Sequence, residues 1–202
     1  MALVDTVKRL AKENPAATIC WEYNGYNYDL TYHDYGKNPQ AITTMPKEVP
    51  WIVKHLRTTH IPVWAISYNS AVTGWQQAAE LLKGKYVSMN FLLEPGWIFP
   101  IELIKYCHQV NLLSFKPDGR YQGRELLNIK MLIELLKPRV KVATDNCLAV
   151  QLSTAKSCGR GTEFVHVMSD GTTQDCSFQS WCYLHPATGG SSEPSKEGQA
   201  RK

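Results

Sequence analysis

No run of 18 apolar residues occurs in the 202-residue chain. A bilayer-spanning helix needs about 20, so no membrane span is expected. The opening stretch, MALVDTVKRLAKENP, lacks the apolar core of an export signal and reads as a short amphipathic helix. Without export, the six cysteines are better read as thiols or metal ligands than as disulfides, which implies a reducing, cytoplasm-like compartment. Charge of one sign is also scarce. A net charge of +4 is too small and scattered to argue for nucleic acid by itself. There is no Cys-x2-Cys knuckle, the usual mark of zinc, and no internal duplication. The composition, 44% hydrophobic and 20% charged, is that of a globular chain with room for one core and a small appendage.

The apolar pattern predicts a helix over residues 3–13, with Val4, Val7, Leu10 and Ala11 on one face and Asn14-Pro15 as its stop. In ATICWEYNGYNYDLTYHDYG, the Asn24-Gly25 pair between aromatic segments predicts a hairpin. A single strand ending at Tyr23 is the alternative. Residues 36–47 read as loop, and 48–59 as a short helix with Pro50 near its start. A regular alternation follows. Strands are predicted at 61–68, 86–94, 110–116 and 139–144, with helices at 71–84, 97–109 and 123–137 between them. Asn69 and Ser70 are candidate caps of the first of these helices and Gly84 its close.

Strands alternating with helices of this length predict βαβ units and a parallel sheet, its strands apolar on both faces. The fold class is α/β: a partial (β/α) barrel, TIM-like, over residues 1–146, with a small cysteine-bearing β appendage over 147–186. Residues 187–202, rich in Gly, Ser and charge, read as a disordered tail. Ligands in such sheets sit at the C-terminal strand ends, which makes Asn69, Ser70 and Asn90 candidate cofactor-binding residues.

Four cysteines fall within residues 147–182, in the pattern Cys147-x10-Cys158-x12-Gly171-x4-Cys176-x5-Cys182. A short helix is predicted from Cys147, then strand, Asp170-Gly171 turn and strand, so that Cys176 returns towards Cys158. Four thiolates brought together could close a zinc site or hold an iron–sulfur cluster. His166 or His185 could complete a mixed zinc site. Four ordinary thiols are the plain alternative.

The stretch Cys158-x12-Gly171-x4-Cys176, in CGRGTEFVHVMSDGTTQDCSF, resembles the opening of the SPASM/twitch extension of radical S-adenosylmethionine enzymes. Upstream, AISYNS resembles that family's third barrel strand and YVSMN its fourth. The resemblance covers roughly residues 48–182 and implies an auxiliary 4Fe–4S cluster on Cys147, Cys158, Cys176 and Cys182. S-adenosylmethionine would be a possible cofactor, and a peptide or protein the substrate. The chain departs from the family in two places. It lacks the Cys-x3-Cys-x2-Cys loop whose cluster cleaves S-adenosylmethionine, and it lacks the glycine-glycine-glutamate-proline segment that holds that cofactor. It therefore reads like a barrel begun after its catalytic strand, with a second chain as one possible source of that strand.

Two other functions fit the residues. A zinc-stabilised module could use the tyrosine-rich segment to contact nucleic acid, although nucleic acid is not the favoured partner. A thiol enzyme could use Cys147 at a helix start, with His166 or His185 as base.

Overall fold

The structure, a computed structural model, describes residues 2–23, 35, 37–55, 61–68, 73–115, 121–159 and 163–176. Helix α1 (Ala2–Glu13) buries Val7 and Ala11. Both the backbone and side-chain N–H groups of Asn14 return to the Leu10 carbonyl and end the helix ahead of Pro15. Six strands follow, with each neighbouring pair parallel. They are β1 (Ile19–Tyr23), β2 (Gln40–Thr44), β3 (Val63–Tyr68), β4 (Tyr86–Leu93), β5 (Gln109–Ser114) and β6 (Lys141–Thr144).

Spatial order equals sequence order, β1-β2-β3-β4-β5-β6. Parallel crossovers are right-handed, so a sheet whose order never reverses carries all its connections on one face. That face holds α2 (Val49–His55), α3 (Trp75–Leu81) and α4 (Gly123–Leu136). Ile42, Trp64, Ile66, Met89, Val110 and Leu112 meet Ile52, Trp75, Ile129 and Leu136 in one buried core. The Trp64 and Trp75 indoles donate to the carbonyls of Ile61 and Ile66, so neither buried N–H is left unsatisfied. Among the described residues, β1 and β6 each have one paired neighbour and the sheet does not close.

Four local expectations are corrected. Residues 40–44, expected as loop, form β2 between β1 and β3; the β-branched run Ile42-Thr43-Thr44 suits a strand. Helix α3 begins later than expected, at Trp75, behind Gly74 in the left-handed region at φ +86°. Its cap position is Gly74, and the expected caps Asn69 and Ser70 lie outside the described residues. The segment expected as a helix over 97–109 forms only a 3-10 helix at Ile101–Tyr106; Pro100 at its N-cap disfavours the helical conformation at Phe99 and so bars an earlier start. Strands β3 and β5 alternate between buried and half-buried positions, and their second face is only partly apolar, at Val63, Ala65 and Leu113. It also carries Ser67, Gln109 and Asn111. The hairpin expected at Asn24-Gly25 and the tail at 187–202 lie outside the described residues.

After β6 come α5 (Asn146–Gln151) and an antiparallel pair, β7 (His166–Val167) with β8 (Thr173–Gln174). The reversal lies at Asp170-Gly171, as the sequence implies. Asp170 Oδ1 accepts the backbone N–H and the hydroxyl of Thr172, which hold its pKa below the usual carboxylate value. This hairpin docks on the other end of the chain. The Thr6 hydroxyl donates to the Gly171 carbonyl at 3.0 Å, and Gly171 abuts Ala2 so closely that an added Cβ would lie 2.7 Å from the Ala2 carbonyl carbon. The segment from 147 to 176 thus runs from the β6 edge back to α1.

Candidate metal centre and ligand-binding face

The C-terminal rim of the sheet is tied together by one carboxylate and one phenol. Asp145 follows β6 and caps α5: Oδ1 accepts the Leu148 N–H at 2.7 Å. Oδ2 reaches across to β5 and accepts both the backbone N–H and the hydroxyl of Ser114, at 2.9 and 2.6 Å. The Tyr121 hydroxyl donates to the Leu93 carbonyl at the end of β4 and accepts the Phe115 N–H just past β5. The Tyr121 N–H donates to Gln151 Oε1 on α5. Burial pushes the Tyr121 phenol up to about 12, against the hydrogen bond from Phe115 and with the fields of Asp145 and Glu125 adding to it. Helix α5 is therefore held against the ends of three strands, at its start through Asp145 and at its last residue, Gln151, through Tyr121.

Cys147 stands in the first turn of α5 and is buried. The Asn146 side chain donates to the Cys158 carbonyl at 2.7 Å and to Glu163 Oε2 at 3.2 Å. One amide thus holds the Cys158 backbone against the residue beside Cys147. Cys158 and Cys176 are buried at 4% and 7% exposure. Three of the four sequence-picked sulfurs are accordingly withdrawn from solvent in the segment that crosses from β6 to α1. Among the described residues, no three Cys, His, Asp or Glu side chains form a group able to hold a metal ion. Cys182 and His185 lie outside the described residues, as do Asn69 and Ser70.

The other two thiols are separate. Cys107 follows the 3-10 helix and donates to the Ile104 carbonyl; burial pushes its pKa up to about 11, although hydrogen bonds from the backbone at Gln109 and Met89 oppose the shift. Cys20 lies on β1 with Sγ 3.5 Å from the Thr43 hydroxyl. The residue as a whole is exposed, yet crowding around its sulfur raises the pKa. The Thr43 hydrogen bond works against that rise, and the Glu22 charge adds to it.

Asn90 is on the face away from the helices, in register with Ser67 on β3 and Asn111 on β5. It ends a directional chain. The Tyr86 hydroxyl donates to Gln109 Oε1 at 3.2 Å, Gln109 Nε2 to Asn111 Oδ1 at 2.6 Å, and Asn111 Nδ2 to Asn90 Oδ1 at 2.7 Å. Every amide oxygen in this chain is used, so the capacity left over at its end is the donor Nδ2 of Asn90. A group that accepts hydrogen bonds suits that end of the face. The sequence reading missed Gln109 and Asn111. The signal was present as polar residues recurring every second position within apolar strands, Ser88-x-Asn90 and Gln109-x-Asn111.

A cleft of about 920 Å³ opens between α1, β1 and residues 163–169, with Cys20, Glu22, Glu163 and His166 in its lining. Its position carries Glu163 from the Asn146 bridge into the space beside β1. No described helix is long and apolar enough to cross a membrane. Against protein-family models, curated proteins and solved structures alike, the chain finds no match.

Proposed function

We propose that the chain is a partial (β/α) barrel of the radical-SAM-like kind, whose C-terminal segment holds an iron–sulfur cluster on Cys147, Cys158, Cys176 and Cys182. The observation that carries this reading is the Asn146 bridge to the Cys158 carbonyl, made beside a buried Cys147 whose helix Asp145 locks to the sheet. Soft thiolate donors on a fixed platform at the C-terminal strand ends suit a cluster that must not shift on gaining or losing an electron. Sequential parallel order supports the barrel, since a doubly wound sheet would reverse its order. The chemistry of the donors fits the group. Cys147, Cys158 and Cys176 do not form a group of three among the described residues, so this reading requires that they draw together with Cys182 when the cluster is loaded.

When bound, the cluster would supply one-electron transfer. The chain's own residues would position it: Asp145 and Tyr121 hold α5, Asn146 holds the Cys158 backbone, and the Asp170-Gly171 turn returns the chain towards Cys176. The chain has no Cys-x3-Cys-x2-Cys loop, so cleavage of S-adenosylmethionine is not assigned to it. A peptide or protein substrate is the class that fits the resemblance.

Anaerobic reconstitution with iron and sulfide tests this. Iron and sulfide bound to the chain, with a broad absorption near about 400 nm from thiolate-to-iron charge transfer, are expected. A colourless, iron-free product would end the reading. About one tightly held zinc per chain would replace it with a zinc-stabilised module.

A further inference from the structure

We propose that the open edge of β1 is a strand-addition site for an extended segment of a basic polypeptide. The inference is independent of the metal centre and rests on the backbone of β1 and the charge beside it.

The Ile19 N–H donates to the Pro39 carbonyl at 2.8 Å. In a parallel ladder, alternate residues bond to the same neighbour. Ile19, Trp21 and Tyr23 therefore face β2, and the N–H and C=O groups of Cys20 and Glu22 point the other way. Among the described residues no strand pairs with that side. An edge of this kind presents a ready row of donors and acceptors to an incoming chain.

The cleft lies along this row. Thr18, Ile19, Cys20, Trp21 and Glu22 all line it. Successive side chains of a strand point to opposite faces, so a cleft touched by five consecutive residues takes in the edge itself, and it continues over the face of Cys20 and Glu22 as far as Thr43 of β2. One wall is the apolar face of α1, with Leu3, Val7 and Leu10, and the other is the stretch 163–169.

Charge selects the occupant. Glu22 and Glu163 line the cleft, and no Lys or Arg is among its described lining residues, on a chain whose net charge is +4. Glu22 is exposed and makes no ion pair with a described residue. An extended segment with lysine or arginine at alternate positions would place its cations over Glu22 and Glu163. Its intervening apolar side chains would meet the α1 wall. An acidic segment would be repelled.

The test uses the full chain and fluorescein-labelled heptapeptides alternating Lys with Val, Glu with Val, and Lys with Val around a central Pro. Saturable anisotropy is expected for the Lys peptide below about 1 mM, weakening as salt shortens the Debye length from about 10 to about 5 Å. The Glu peptide and the Pro peptide should not bind. Glu22→Lys should weaken the Lys peptide by about tenfold or more. Glu22→Pro should abolish binding while leaving the circular dichroism unchanged, because the N–H it removes is not a ladder donor. Hydrogen exchange supplies a readout that needs no variant. The Cys20 and Glu22 amides should exchange quickly in the free chain and become protected with the Lys peptide. Equal binding of the Lys and Glu peptides, no saturation by the Lys peptide, or no protection of those two amides would each overturn the proposal.

Discussion

Asp145 and Ser114 are joined twice: one carboxylate oxygen accepts both the backbone N–H and the hydroxyl of the serine, at 2.9 and 2.6 Å. The other oxygen caps α5. A single side chain therefore fixes the end of β5, the end of β6 and the helix that presents Cys147. Replacing it leaves a helix without its cap and a buried serine, 3% exposed, without an acceptor. Asp145→Ala should cost about 2–4 kcal/mol, the sum of a lost cap and of buried donors left unmet. Urea unfolding measures it. Asp145→Asn keeps one acceptor oxygen and turns an NH2 donor onto the other contact, so it should also destabilise; an alanine variant as stable as the parent chain would show that Asp145 does not hold the rim.

The thiols should separate into two groups. Cys147→Ser, Cys158→Ser and Cys176→Ser each replace a soft donor with a hard one, and each should lower the iron retained after anaerobic reconstitution. Cys20→Ser and Cys107→Ser should retain it in full, since Cys107 is engaged with the Ile104 carbonyl and Cys20 with Thr43. Iron per chain and visible absorption check this. Equal loss in all five variants would mean that the effect reflects general destabilisation.

Alkaline pH should destabilise the fold through two named groups. Burial raises the Cys107 thiol from 9.0 to about 11 and the Tyr121 phenol from 10.0 to about 12. A group whose folded pKa is raised contributes stability fully below its unfolded pKa and loses it as pH climbs through the folded value. The Cys107 contribution should fade from about pH 9 to about pH 11 and that of Tyr121 from about pH 10 to about pH 12. Urea midpoints taken across pH 8–11 should fall less steeply in Cys107→Val than in the parent chain. Parallel slopes would remove Cys107 as a cause.

Gly171→Ala should loosen the contact between the C-terminal hairpin and α1. Gly171 has φ +87°, and an added Cβ would meet Ala2 atoms at 2.7–2.9 Å. Left-handed strain alone costs about 1–2 kcal/mol, and the backbone clash adds to it. Gly84→Ala is the control, with φ +90° and nothing within 4 Å of the added carbon, so it carries strain without a clash. Hydrogen exchange in α1 should quicken in the Gly171 variant and stay unchanged in the Gly84 variant. The same response in both would show that the hairpin does not brace α1.

Much of the fold was legible as local signal. Strands β3 to β6 and helix α4 carry apolar runs bounded by Gly, Pro and Asp. The Asp170-Gly171 reversal is turn chemistry that needs no distant partner. Strand β2 was hidden because only Ala41 and Ile42 of its five residues are apolar, and its stability comes from strands on either side. The helix expected over 97–109 could not start before Pro100, which disfavours the helical conformation at Phe99, a signal that the surrounding apolar residues concealed.

The sequence by itself determined the alternation of elements, the polar positions at period two on β4 and β5, and the four cysteines placed after β6. Those properties belong to single residues and their near neighbours. Only the tertiary structure decided that the strands lie in unbroken order, that Asp145 reaches Ser114, that Gly171 rests on Ala2, and that the β1 edge opens onto Glu22 and Glu163. Each of these joins residues far apart in the chain, and a hydrogen bond or a steric contact exists only once folding has brought its two partners within a few ångströms.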